Sequence, residues 1–471
     1  MTAQQQPREE AGDTGKAVEI ELQQIVYILP GAHGGYSVYL VSEGSTSDGE
    51  RPFSLRVAQG QEHELPDGFQ KFILERGNLP PQHLRAPREL NVVVSTHSGL
   101  RLAESFYQEV LQPLLGAVGL APHKDEGRND GYKVVVTKNQ HTLRDFSRAL
   151  GKDPKVSDKT VVLLSGDGGV VDLLNGLDHS SAPSAPTIAL LPLGTGNALF
   201  HSLHKPHYSA TPSAPSHFVL ALRSLFLGTT SPLPVFRASF SQGATLVSAP
   251  VEHDAPVDAT TAEAPKDHEK ETPVTHLLGA IVASYGFHAS LVWESDTPAY
   301  RVHGAKRFGM AAAELLKVEH AYDAAVEVRR TSDEASFVPV AVRGKKQDEQ
   351  SGSQSNGFNY VLATLVSNLE KTFTISPASR PLDGQLRLVH FGDVGGARTM
   401  EIMTAAYAEG DHVKLEDVGY EAVEEVKVTV NEEDPRWRKV CIDGSIVELE
   451  KGGWMSVAKE GRERLRVLID V

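Results

Sequence analysis

The sequence predicts an α/β domain built on a parallel sheet, preceded by a small β module and followed by a β-rich domain. Three observations carry that reading. Between residues 88 and 232, apolar runs of strand length alternate with segments of helical period. From about residue 235 the chain changes to successive short β-type runs. Ahead of both, apolar and polar residues alternate over 19–29, 37–41 and 52–57, between glycine-containing turns.

Residues 1–18 are polar and read as a disordered tail, and 19–85 as the β module. In 88–232, strands are expected at 89–94, 132–137, 161–164 and 188–193, with helices at 102–118, 141–150 and from residue 198. The second domain, 233–471, carries β-type runs at 235–246, 277–285, 337–342, 360–366, 386–390, 425–430, 439–443 and 465–469. Two stretches inside it, 247–275 and 344–357, lack an apolar face and read as mobile insertions. The apolar helices 218–227 and 309–316 suit either core packing or the lining of an apolar channel.

Composition narrows the function. A chain of 471 residues can bury two cores, and no run of about 18 apolar residues is present to cross a membrane as a helix. The one cysteine, Cys441, can form neither an intrachain disulfide nor a cysteine zinc site, and the N-terminus lacks the apolar run of a secretory leader. Both features predict a cytoplasmic protein. A net charge of −15 argues against nucleic acid and against bulk attraction to acidic lipid, so any phosphate must be gripped locally.

The stretch Val-Val-Leu-Leu-Ser-Gly-Asp-Gly-Gly-Val-Val-Asp-Leu-Leu-Asn-Gly at 161–176 places Asp167 between glycines where a buried strand turns into a helix. Glycines there let backbone amides approach a phosphate. A carboxylate beside phosphates is repelled, and the roles that justify it are holding Mg2+ or taking the proton of an attacking hydroxyl. Taken alone, Ser-Gly-Asp-Gly reads more readily as an ordinary turn. A second loop, Gly194-Thr-Gly-Asn197, at the next strand end shifts the reading towards a phosphate site at the carboxyl edge of an open α/β sheet. Neither loop is a Walker A sequence, and no Gly-x-Gly-x-x-Gly follows the first strand.

The two loops, with their flanks 165–176 and 191–198, resemble the paired signature of the diacylglycerol kinase and sphingosine kinase family. Gln-Pro-Leu-Leu at 112–115, the segments 286–295 and 300–308, and Cys-Ile-Asp-Gly-Ser at 441–445 follow in the order of the sphingosine kinase branch. The resemblance spans roughly residues 88–470. It implies an α/β nucleotide-binding domain like that of NAD kinases, then a β-sandwich that carries the lipid site. It further implies use of ATP and Mg2+, with no metal ligands assigned, a lipid substrate, and transient peripheral contact with a membrane.

By position, the resemblance makes Asp167 the catalytic base. Ser165, Gly166, Gly168, Gly194, Thr195, Gly196 and Asn197 would line the nucleotide phosphates, with Thr137, Arg301, Arg307, Asp443 and Gly444 as further ATP contacts. Forked guanidinium groups suit the spreading of phosphoryl charge. The first loop, where the family has Asn-Pro and a glycine-rich run, reads Ser-Thr-His-Ser-Gly at 95–99, leaving Ser95, His97 and Gly99 as its nucleotide contacts. Ser445 stands where the family has a glutamate, and Asp172 where it has a glutamate in the helix after Asp167.

The lipid head group is expected near Asp172, Phe287, His288, Ser290 and Val292, with His288 read as a histidine on a strand. Ser290 and Val292 occupy positions where sphingosine kinases carry aspartates, and a buried amine without a carboxylate partner costs several kcal/mol. The expected reaction is transfer of the ATP γ-phosphate to the primary hydroxyl of a sphingoid base. A neutral-lipid kinase, acting on diacylglycerol or ceramide, and a regulator with weakened turnover are the alternatives.

Overall fold

The computed structural model describes residues 20–31, 34–44, 52–61, 65–123, 131–139, 141–150, 158–177, 184–209, 214–248, 272–331, 336–344 and 357–470. The tail 1–18 and most of both insertions, 249–271 and 345–356, lie outside the described residues.

The central sheet has six strands in the order Lys133–Val136, Glu89–Val94, Lys159–Ser165, Thr187–Pro192, Arg466–Ile469 and Thr229–Pro232. All neighbours run parallel except the last pair. Strand Lys159–Ser165 is buried along its whole length, as a central parallel strand covered on both faces must be. Its side chains alternate: Val162 and Leu164 join a core with Phe106, Leu114 and Leu222, whereas Val161 and Leu163 pack with Leu143, Leu173 and Leu199. Helix His217–Phe226 is buried from Phe218 to Phe226, so of its two expected roles it takes core packing.

The β module is a three-stranded antiparallel sheet of Ile25–Pro30, Gly35–Glu43 and Phe53–Gln61. Rather than standing apart, it extends the α/β core. The Tyr27 hydroxyl donates to the Leu114 carbonyl at 2.8 Å, and the buried Arg223 donates to the carbonyls of Ile25 and Leu22 at 2.8 and 2.6 Å.

The second domain is antiparallel and curls on itself. Strand Tyr322–Arg329 is the bend: Tyr322 and Asp323 pair with Phe358 and Gly357 in one arm, while Ala324 to Arg329 pair with Val430 to Glu425 in the other. The arms share one core, so the sandwich expected from the resemblance takes the form of a single curled sheet.

Two sequence expectations change here. The run 277–285 is two strands, His276–Gly279 and Val282–Gly286. The chain breaks between them because the amides of Ala280, Ile281 and Val282 turn to the Asp443 carboxylate. The run 465–469 does not join the antiparallel sheet: Arg466 and Val467 pair with Thr187 and Ile188 of the parallel one, closing it against Thr229–Pro232.

Candidate phosphoryl-transfer site

Three loops meet at the carboxyl ends of strands Glu89–Val94, Lys159–Ser165 and Thr187–Pro192. Their glycines are required first by one another. A Cβ on Gly194 would lie 2.3 Å from the Gly166 Cα, and one on Gly99, where φ is +51°, would lie 2.5 Å from the Leu193 carbonyl oxygen. Asn197, in the left-handed region at φ 53°, closes the third loop. Its Oδ1 accepts the Gly194 amide at 2.9 Å and its Nδ2 donates to the Gly194 carbonyl at 3.0 Å. Gly168 and Thr195 are left exposed, and a Cβ on Gly168 would meet nothing within 4 Å.

Asp167 opens helix Asp167–Gly176 and reaches across to the N-terminus of helix Ala198–Ser209. Its carboxylate accepts the Ala198 amide at 2.8 Å and the Leu199 amide at 3.1 Å. A helix start has amides with no intrahelical partner, which is the local reason a charge is held here. Burial pushes the Asp167 pKa above the ordinary carboxylate range, against the opposing pull of these amides.

From the second domain, Asp443 and Gly444 form the two-residue turn of hairpin Lys439–Ile442/Ser445–Glu448, with φ of 46° and 90°. Both values are positive, as a type I′ hairpin turn requires. The Asp443 carboxylate accepts the Ala280 and Val282 amides at 2.6 Å each and the Ile281 amide at 3.1 Å. Burial pushes its pKa up to about 7, against these amides, and the Asp167 charge adds to the rise. The two carboxylates therefore share one electrostatic environment at the seam between domains. Among the described residues, no group of three or more His, Cys, Asp or Glu side chains could hold a metal ion.

Both helices that begin at the glycine loops are tied to the second domain. Asn175 engages the amide and the carbonyl of Leu278, each at 2.9 Å. The Ser202 hydroxyl donates to the Asn368 carbonyl at 3.0 Å and accepts its amide at 2.9 Å. An apolar crevice of about 20 Å3, touching Leu199, Leu203, Leu365 and Leu382, follows the second seam and has no room for a lipid chain.

The remaining residues singled out in the sequence fall into groups. Ser95 bonds Ser98 at 2.7 Å, and exposed His97 bonds the Thr96 hydroxyl at 2.9 Å. The Thr137 hydroxyl accepts the Thr96 amide at 3.1 Å, splinting the first loop. Ser165 is buried and turns its hydroxyl onto the Gly166 carbonyl at 3.0 Å, inward from the loop mouth. Gly196 lies beside Asp167, with a Cβ there 3.8 Å from its Oδ2.

Arg301 and Arg307 are brought together by Asp296, a residue the sequence did not single out. Arg301 donates to both its oxygens at 3.1 and 2.7 Å, and Arg307 to one at 3.2 Å. Among the described residues, neither arginine bonds the Asp167 loops.

His288 lies on a helix, Phe287–Ser295, and not on the strand its surroundings suggest. Its Nδ1 meets the Ser284 hydroxyl at 2.8 Å, and burial lowers its pKa to about 4, so it is neutral near pH 7. Ser290 accepts the Tyr322 hydroxyl at 2.9 Å, Phe287 is buried, and Val292 packs against a cluster that includes Cys441 and Ile446. Asp172 pairs with Arg144 at 3.4 Å, and burial raises its pKa while Arg144 opposes the rise.

Residues 90–238 match the family model of the diacylglycerol kinase catalytic domain. Among solved structures, the chain is similar to three from Bacillus anthracis str. Sterne described as diacylglycerol kinases, the first two provisionally. The first has 13% identity and a TM-score of 0.50, covering 81% of this chain and 95% of its own, which is a likeness of fold. The others have 13% and 12% identity and TM-scores of 0.47 and 0.45, each covering 81% of this chain and 97% of its own. No curated protein sequence matches the chain.

Proposed function

We propose that this protein is a lipid kinase that transfers the γ-phosphate of ATP to a lipid hydroxyl, with Asp167 as the base. The observation that carries the reading is the Asp167 carboxylate, fixed by the Ala198 and Leu199 amides among three converging loops whose outer positions, Gly168 and Thr195, stay open. Helix N-termini and exposed loop amides suit a triphosphate. Held in place beside it, Asp167 would accept the hydroxyl proton as the new P–O bond forms and ADP leaves, so catalysis would be positioning and charge neutralisation. Mg2+, for which the described residues offer no ready-made cluster of carboxylates, would offset phosphate charge when bound. Arg301 and Arg307 would meet the triphosphate from the second domain.

The head-group region favours a neutral acceptor, such as diacylglycerol or ceramide. Ser290 and Val292 offer no carboxylate, and Asp172 is already paired with Arg144, so an amine would be buried without a free counter-charge. The sphingoid base remains the second reading, supported by the arginine segment at 300–308. No helix among the described residues is long and apolar enough to cross a membrane. Contact with a bilayer would use exposed apolar groups such as Val302 and Met310, 78% and 41% exposed, beside Arg301 and Lys306.

The test is transfer of labelled phosphate from ATP to diacylglycerol, ceramide and sphinganine in mixed micelles, with Asp167→Asn alongside. A labelled lipid, with the variant slower by about 10²–10⁴-fold, is the expected result. No labelled lipid, or an equally active variant, overturns the reading.

A further inference from the structure

The outer face of the curled sheet carries a trough whose lining includes no residue of the glycine loops. Across three strands the outward row runs Lys427, Ser456, Ser239, paired in register, with Ala458 beside Arg237 in the next row. Small side chains at Ser239, Ser456 and Ala458 make a floor between taller neighbours, and the resulting cavity is about 500 Å3. Trp454 and Phe337 form an apolar wall, and Arg237, Lys427 and Lys459 supply cations.

The two carboxylates lining the trough are already neutralised. Glu460 accepts from Arg237 at 2.9 Å and pairs with Arg464 at 3.1 Å, while Glu425 pairs with Arg329 at 3.2 Å and accepts the Ser456 hydroxyl. Lys427 is ion-paired with Glu327 at 3.8 Å and lies 5.9 Å from the Trp454 ring centre, so the unmatched charge is that of Lys459. Lys459 has no hydrogen-bond or ion-pair partner among the described residues, and neither has the Ser239 hydroxyl. In a chain of net charge −15, a trough with an unpaired ammonium, an unpaired hydroxyl and an aromatic wall is matched to a particular chemistry.

We propose that this trough is a second ligand site, which takes a phosphate ester carrying a ring or apolar group. The phosphate would meet Lys459, Lys427 and Ser239, and the apolar part would lie against Trp454 and Phe337. The same chemistry is available from a soluble phosphate ester or from a phosphomonoester lipid head group, and the experiment separates them.

Tryptophan fluorescence of the full chain, saturated with a non-hydrolysable ATP analogue to fill the kinase cleft, is titrated with phenyl phosphate and with inorganic phosphate. The expected result is saturable quenching by phenyl phosphate at a midpoint at least about tenfold below that of inorganic phosphate, lost in Trp454→Phe and weakened about tenfold or more in Lys459→Ala. Co-sedimentation with phosphatidylcholine vesicles containing phosphatidate identifies the source. Sedimentation that Lys459→Ala abolishes assigns a lipid head group, and quenching without such sedimentation assigns a soluble ester. Equal midpoints for the two probes, or binding indifferent to Lys459→Ala in both assays, overturns the proposal. Far-ultraviolet circular dichroism of each variant keeps a folding defect from being read as a binding one.

Discussion

Asn175 holds the peptide of Leu278 from both sides: its Nδ2 donates to the carbonyl and its Oδ1 accepts the amide, each at 2.9 Å. Asn175 sits on the helix that begins with Asp167, and Leu278 on the strand that ends one residue before Ala280, whose amide binds Asp443. One side chain thus ties the helix that carries Asp167 to the strand that leads into the amides bound by Asp443.

Asn175→Ala removes both bonds and leaves the Leu278 polar groups unmatched. A loss of about 1–3 kcal/mol in stability is expected, read by urea unfolding. Kinase turnover should fall by more than the folded fraction does, because Asp167 loses its tie to Asp443. Asn175→Asp, which keeps only the acceptor, should fall between.

Two glycine substitutions separate packing from ligand approach. Gly194→Ala puts a Cβ 2.3 Å from the Gly166 Cα, and is expected to lower stability by about 1–3 kcal/mol through overpacking. Gly168→Ala meets nothing within 4 Å, so the melting temperature should hold while ATP affinity drops. Calorimetric melting and ATP titration of both variants check the pair.

Asp443 gives a signed pH dependence. Its folded pKa of about 7 stands above the ordinary value of 3.8, so the folded chain binds this proton more tightly than the unfolded one. Its stabilising contribution is complete below about pH 4 and is lost as pH rises through about 7. Urea midpoints should therefore fall across that window, and fall less steeply in Asp443→Asn.

Asp296 anchors both Arg301 and Arg307, so removing it should disorder the two guanidinium groups together. Asp296→Ala is expected to raise the KM for ATP about tenfold, equivalent to about 1.4 kcal/mol, with a smaller change in kcat. Asp296→Glu should recover part of it. Steady-state kinetics against ATP measure the split.

Much of the α/β half was legible in the sequence, because buried parallel strands such as Lys159–Ser165 read as unbroken apolar runs bounded by turns. Asp167 was legible too, as a charge placed against the local pattern. The packing of its glycine neighbours was not: besides the phosphate role expected of them, Gly166 and Gly194 lie so close that neither has room for a Cβ. Asn175, Ser202 and Asp296 left no signal, since a polar residue on a helix looks the same whether it faces water or bolts two domains. His288 was misplaced onto a strand because the apolar run through 282–287 carries no mark of the switch to helix at Phe287. Strand Arg466–Ile469 was recognised as a strand and assigned to the wrong sheet, because its partner lies far back in the chain at Thr187 and Ile188.

That strand imposes an order on biosynthesis. Thr187–Pro192 and Thr229–Pro232 are separated in the sheet by Arg466–Ile469, so the parallel sheet has an open slot until residue 469 has left the ribosome. The nascent α/β half must wait, with an unpaired edge on each side of the slot, while the whole antiparallel domain is translated. Cutting the chain at residue 232 would therefore not yield an independent half, since the severed piece lacks its own fifth strand.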